Sequence, residues 1–239
     1  MTTGRTLVYH DGAQELTGYY VSPASTPAPG VLVVPTWLGI TDSIIVRAQR
    51  LADAGYCVLA ADVFGGPTDI TGGPRPVVAP FRNDRRYLRR RISAGLNALQ
   101  AQPECEEHRI AAIGYCFGGS AALELARDGA RLRGVVSLHG ELDTPLPAAP
   151  DDVHAKLLVL TGDDDPVVPF NAIAGFRTEM RSAQADFEIV IYSGAKHSFT
   201  GEGSLGADRT PEAVLQPQAD ARSWQRMLDF LAEVLTTEQ

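Results

Sequence analysis

Arg109-Ile110-Ala111-Ala112-Ile113-Gly114-Tyr115-Cys116-Phe117-Gly118-Gly119-Ser120-Ala121-Ala122-Leu123 is the stretch that decides the fold. Ile110 to Ile113 is a short apolar run of the kind that forms a strand buried on both faces of a parallel sheet. The Ala- and Leu-rich segment from Gly118 to Asp128 reads as a helix. Between them Gly114-Tyr115-Cys116-Phe117-Gly118 has the form glycine, any residue, nucleophile, any residue, glycine, in the strand-to-turn-to-helix context that such an elbow requires. A nucleophile on so sharp a turn leaves no room for side chains two positions away, and Gly114 and Gly118 meet that demand. The helix N-terminus behind Cys116 favours negative charge on its sulfur, and the backbone N–H of Phe117 points where an oxyanion would form. The alternative is a structural cysteine in a tight glycine turn. Ser120 lies inside the helix and is not the nucleophile.

The same alternation extends in both directions. Upstream, Thr6–Tyr9 and Glu15–Val21 read as a hairpin turning at Asp11-Gly12. Val31–Val34 is a buried strand, followed by a helix with Asp42 or Ser43 as N-cap and Gly55 at its end. Cys57–Ala61 is a strand and Asp84–Gln100 a helix. Downstream, Gly134–His139, Lys156–Gly162 and Phe187–Tyr192 read as strands. Helices are expected near Asn171–Ala183 and Asp220–Leu235. Repeated strand-then-helix units make a mostly parallel sheet with helices on both faces, and the 239 residues fill one such domain, 1–239. Val63–Pro80 and Ser198–Gln218 are long, irregular and at strand carboxyl ends, and either a lid or a plain surface connection fits both.

Charge and composition exclude several functions. A formal net charge of −8 speaks against nucleic-acid binding. The run Arg82, Arg85, Arg86, Arg89, Arg90, Arg91 reads as the solvated face of an amphipathic helix, or else as a site for an acidic partner. No apolar run reaches the length of about 20 residues that a membrane helix needs, and the N-terminal residues lack a signal-peptide pattern. Cys57, Cys105 and Cys116 form neither a disulfide framework nor a zinc motif. The expectation is a cytoplasmic protein without metal or cofactor, a monomer or homodimer whose partner is a small molecule.

A nucleophile needs a base, and the base an orienting acid. In this architecture the chain order is nucleophile, acid, histidine. The strand Lys156–Gly162 runs into Asp163-Asp164-Asp165-Pro166. Asp163 and Asp164 suit a solvated turn, whereas Asp165 precedes a proline that biases it to extended backbone. The last strand runs into Ala195-Lys196-His197-Ser198-Phe199, which places His197 where the base belongs. Of the other histidines, His139 ends the strand after the nucleophile helix and either lines the site or is a satisfied structural histidine.

These motifs together, Gly114 to Gly119, Gly162 to Pro169 and Ala195 to Phe199, resemble the dienelactone hydrolase family over nearly the whole chain. The resemblance implies the three-layer α/β-hydrolase fold. It also implies a catalytic triad of Cys116, Asp165 and His197, with an oxyanion hole from the backbone of Phe117 and, by position, Trp37. Thr36, His139 and Phe199 are then expected on the substrate side. Substrates of such enzymes are small lactones and activated esters, with no cofactor. Many members carry a glutamate just before the oxyanion residue; Thr36 stands there, so His197 would act alone as base. One member holds its substrate's carboxylate with an arginine four residues beyond the histidine; Gly201 stands there, which argues against dienelactone itself. A thioesterase or peptidase of the same fold, and a thiol sensor or binding protein, are the other readings. A sensor would not need Asp165 and His197.

Overall fold

A computed structural model describes residues 4–69, 71–201 and 215–236. The sheet starts with the hairpin β1 (Arg5–Asp11) and β2 (Gln14–Val21), reversing over Gly12, whose φ of 61° suits a residue without a Cβ. β3 (Ala28–Val34), α1 (Asp42–Asp53), β4 (Cys57–Ala60), α2 (Pro74–Asn83) and α3 (Arg85–Gln100) follow. Then come β5 (Cys105–Tyr115), α4 (Phe117–Arg127), β6 (Gly134–Leu138), β7 (Lys156–Gly162), α5 (Phe170–Ser182), β8 (Phe187–Tyr192) and α6 (Pro217–Val234).

The eight strands lie in the order β1-β2-β4-β3-β5-β6-β7-β8. β2 pairs antiparallel with β1 and β4, and every other neighbouring pair is parallel. Two apolar layers sandwich the sheet. One is built with Leu88, Ile92, Leu99, Ala121, Leu125, Phe176 and Met180 from α3, α4 and α5. The other uses Ile44, Leu51, Trp224, Met227 and Leu231 from α1 and α6. Each such side chain, fully buried, stabilises the fold by about 1.5–3 kcal/mol before entropy is charged against it. This is the expected α/β-hydrolase architecture. The chain leaves β3 toward β4 and returns to the other side of β3 as β5, so the switch point of the winding lies between the carboxyl ends of β3 and β5, where open α/β sheets bind ligands.

Four expectations change. The N-cap of α1 is Thr41, whose hydroxyl accepts the Ile44 N–H; Asp42 is instead the acidic residue of the first turn. β5 begins at Cys105, well before the apolar run at Ile110, because its pairing with β3 jumps between Pro29 and Gly30 and absorbs the intervening residues. The stretch read as a Gly/Pro-rich loop contains α2. Its Pro74 sits in the first turn, where the missing N–H has no intrahelical partner to lose, and Pro80 lies within it.

The arginine run is largely not a solvated face. Arg85 and Arg91 are buried, Arg91 is paired with buried Asp11 at 2.9 Å, and Arg89 with Glu124 at 2.8 Å. Acidic residues from β1 and α4 draw these guanidinium groups inward, and only Arg86 and Arg90 of the helix remain exposed. Of the second long stretch, residues 202–214 lie outside the described part of the chain. Among the described residues no helix is long and apolar enough to cross a membrane.

Candidate active site

The ends of β3 and β5 stand side by side, with Val34 opposite Gly114. At Cys116 the chain turns from β5 directly into α4 with φ 54° and ψ −120°, a conformation few non-glycine residues adopt. A Cβ added to Gly114 would lie 1.9 Å from the carbonyl oxygen of Gly118, and one added to Gly118 would lie 2.1 Å from that of Val34. The elbow is therefore wedged both against itself and against the end of β3. The strain lifts Cys116 to a partly exposed position above the sheet, at the N-terminus of a helix eleven residues long.

The other two strand ends bring up the histidine and the acid. Cys116 Sγ is 3.1 Å from His197 Nε2, and His197 Nδ1 is 3.0 Å from Asp165 Oδ2. Asp165 has a fully buried carboxylate, and its Oδ1 accepts the Val167 N–H at 2.8 Å. Asp163 and Asp164 are exposed. Their backbone N–H groups donate to the carbonyls of Tyr192 and Ala195, at 3.0 and 2.9 Å, and so stitch the Asp165 turn to the His197 loop. The two segments touch closely enough that a Cβ on Gly162 would fall 2.1 Å from the Ala195 carbonyl oxygen.

Burial alone would lower the proton affinity of His197, but negative charge on the neighbouring Cys116 sulfur and the bond to Asp165 outweigh it, and its pKa is pushed up to about 10.

The second wall comes from the loop after β3. Buried Thr36 turns this loop, its Oγ1 accepting the Leu38 N–H at 3.2 Å and its carbonyl the Gly39 N–H at 3.1 Å, and Trp37 is left partly exposed at the bend. Phe117 packs against Phe64 and Phe81, with ring centroids 5.7 and 6.0 Å apart. Phe64 lies in the irregular stretch after β4 and Phe81 in α2, whose prolines hide a helical signal. Both aromatics also border a cleft of about 590 Å³, shared with Pro76, Val77 and Tyr87. A larger cleft of about 860 Å³ is lined in part by Pro166, Val167 and Leu142, next to the Asp165 turn.

Thr36, His139 and Phe199, the residues expected on the substrate side, are buried, with exposures of 1%, 0% and 0%. Among the described residues no group of three or more His, Cys, Asp or Glu side chains could hold a metal.

A nucleophile elbow on a mostly parallel sheet, with an acid after β7 and a histidine after β8, defines an α/β-hydrolase. Residues 16–235 match the model of the dienelactone hydrolase family, and the chain belongs to that family. A dienelactone hydrolase-like promiscuous phosphotriesterase from metagenomic libraries superposes with a TM-score of 0.89 at 35% identity, covering 98% of each chain. A Bradyrhizobium protein named "Probable 2-oxo-3-(5-oxofuran-2-ylidene)propanoate lactonase" is 30% identical over 72% of this chain and 73% of its own. A Salmonella typhimurium protein named "Putative carboxymethylenebutenolidase" is 27% identical over 98% of this chain and 88% of its own. The chain is a carboxylic-ester hydrolase of the dienelactone hydrolase type.

Proposed function

We propose that Cys116, His197 and Asp165 act as a triad that opens a small ester or lactone through an acyl-thioester. The observation that carries this reading is the unbroken line from sulfur to carboxylate, 3.1 Å and then 3.0 Å, set on the elbow and two adjacent strand ends. Asp165 and the sulfur both raise the proton affinity of His197, so the ring takes up the Cys116 proton and the nucleophile is a thiolate facing an imidazolium. The sulfur attacks the ester carbonyl, and the N–H groups of Phe117 and Trp37 receive the oxyanion; each such donor contributes about 3 kcal/mol to the transition state.

Collapse breaks the acyl C–O bond, and the His197 proton goes to the leaving oxygen. In a lactone that oxygen stays tethered to the acyl group. Neutral His197 then takes a proton from water as the water attacks the thioester. Collapse returns the sulfur anion, leaves the imidazolium in place and releases the acid. Thr36 has no ionisable group, so proton transfer falls to His197, held by Asp165. Partly exposed Phe64, backed by buried Phe117 and Phe81, offers an apolar surface that suits a small apolar or unsaturated acyl group.

Hydrolysis of p-nitrophenyl acetate by the wild type and by Cys116→Ala tests the proposal. Turnover by the wild type, absent from a folded Cys116→Ala, is the expected result. Undiminished turnover by the variant would remove Cys116 from the mechanism. A single stoichiometric burst would show acylation without deacylation.

A further inference from the structure

One imidazole lies behind the triad and is not used by it. His139 directly follows β6 with a φ of 42°, its backbone N–H donating to the Leu160 carbonyl at 2.8 Å. Its ring is fully buried, yet both nitrogens are engaged. Nδ1 lies 3.1 Å from the backbone nitrogen of Cys116, and Nε2 lies 2.8 Å from Thr200 Oγ1. An amide N–H can only donate, so Nδ1 must be the unprotonated nitrogen; the ring proton then sits on Nε2 and is donated to Thr200.

Resting on the triad reading above, we propose that His139 is a positioning residue for the hydrolysis. As a neutral Nε2–H imidazole, it ties the backbone of the nucleophile to the segment that carries the catalytic base. It touches no substrate.

Three observations support the assignment. The strained turn at Cys116 is held by a forked amide, whose N–H goes to the Leu138 carbonyl at 2.9 Å as well as to His139 Nδ1. Thr200 stands three residues beyond His197, and its carbonyl accepts Arg47 Nη2 from α1 at 2.7 Å, so the far end of the tie is itself anchored. The His139 ring also meets His197 and Phe199 edge-on, with centroids 5.4 and 5.2 Å away, so it sets the depth at which the base loop sits.

The charged and titratable groups around it are His197, Cys116, Arg47 and Tyr115, whose ring centroid lies 6.2 Å away. Complete burial, followed by the neighbouring charges of His197 and Arg47, holds His139 well below the ordinary histidine range and keeps the acceptor lone pair available. A second proton would cut the bond to Cys116. Displacement of a reacting group by about 1 Å costs on the order of 100-fold in rate, and one ring here controls the approach of two reacting groups.

The test combines two variants with a measurement on the unmodified protein. His139→Phe keeps a ring but has no acceptor, whereas His139→Asn places its Oδ1 where Nδ1 stands and tolerates a positive φ. The expected result is a kcat lowered about 10- to 100-fold in His139→Phe with KM nearly unchanged. The pH profile of Cys116 alkylation by iodoacetamide should shift in the same variant, and both readouts should recover in part in His139→Asn, which restores the acceptor for the Cys116 N–H but not the donor to Thr200. Nitrogen NMR of the wild type should show His139 as the neutral Nε2–H tautomer throughout about pH 5 to 8.

The proposal fails if His139→Phe keeps wild-type kcat and alkylation, or if His139→Asn is as slow as His139→Phe. It fails equally if the ring titrates in the normal histidine range, a result available even when His139→Phe does not fold. Retained turnover in Cys116→Ala would instead overturn the triad, while the NMR and alkylation readouts would still report on the tie itself.

Discussion

Gly118→Ala is the sharpest perturbation of the elbow, because a single methyl separates two elements that must touch. The new Cβ would stand 2.1 Å from the Val34 carbonyl oxygen and 2.5 Å from that of Pro35, where ordinary contact begins at 3.4 Å. Both obstacles are backbone, so α4 and the end of β3 would have to part by about 1.3 Å in an interior packed to crystal-like density. Overpacking of this kind costs about 1–3 kcal/mol, which for a domain of this length lowers Tm by roughly 3–10 °C. Function should suffer more than stability. The parting moves Cys116 at the start of α4 away from Trp37, three residues beyond Val34, and about 1 Å of misplacement costs on the order of 100-fold in kcat/KM. Differential scanning calorimetry and p-nitrophenyl acetate hydrolysis measure the two effects on the same preparation. A Gly118→Ala variant with wild-type Tm and wild-type kcat/KM would refute the wedge, and with it the claim that β3 and the elbow set each other's position.

Asp165→Asn preserves shape but turns an NH₂ group toward His197 Nδ1, favouring the tautomer whose Nε2–H faces the sulfur; the corresponding change in Ser-His-Asp enzymes costs about 10⁴-fold, and steady-state kinetics should show a kcat loss approaching that size. Because folding raises the His197 pKa from 6.5 to about 10, the folded state binds this proton more tightly, so its contribution to stability is complete below pH 6.5 and is lost as the pH rises through about 10. Urea midpoints should fall across that window, and less steeply in Cys116→Ala, which removes the sulfur charge. Arg91→Met leaves the Asp11 carboxylate buried with only the exposed Arg90 as partner, and chemical denaturation should register a loss of about 3 kcal/mol. Thr36→Val deletes the acceptor of the Leu38 N–H; a stability loss of about 1 kcal/mol is expected, together with a several-fold lower kcat at unchanged thiol alkylation.

Much of this molecule is legible in its sequence because the signals are local. β7 and β8 fall on the residues their apolar runs mark, and the helix at Asp84–Gln100 starts after the Asp84 side chain that caps it by accepting the Tyr87 N–H. The elbow is legible for the same reason: two glycines, a cysteine and the flanking strand and helix all lie within a few residues. α2 is not legible, since prolines at Pro74, Pro76 and Pro80 read as loop when nothing local shows that the first falls in the first turn. The arginine run is misread because its partners, Asp11 and Glu124, lie far away in the chain.

The architecture, the cysteine on its glycine-flanked turn and the strand ends that carry Asp165 and His197 were readable from the chain alone. These follow from hydrophobic period and turn chemistry, which act over neighbouring residues. The grip of His139 on the Cys116 amide, the 3.0 Å approach of Asp165 to His197 and the burial of Thr36 and Phe199 came from the folded chain alone. Those outcomes depend on angstrom-scale approach between segments tens of residues apart, set by sheet register and the collision of backbones at Gly114, Gly118 and Gly162.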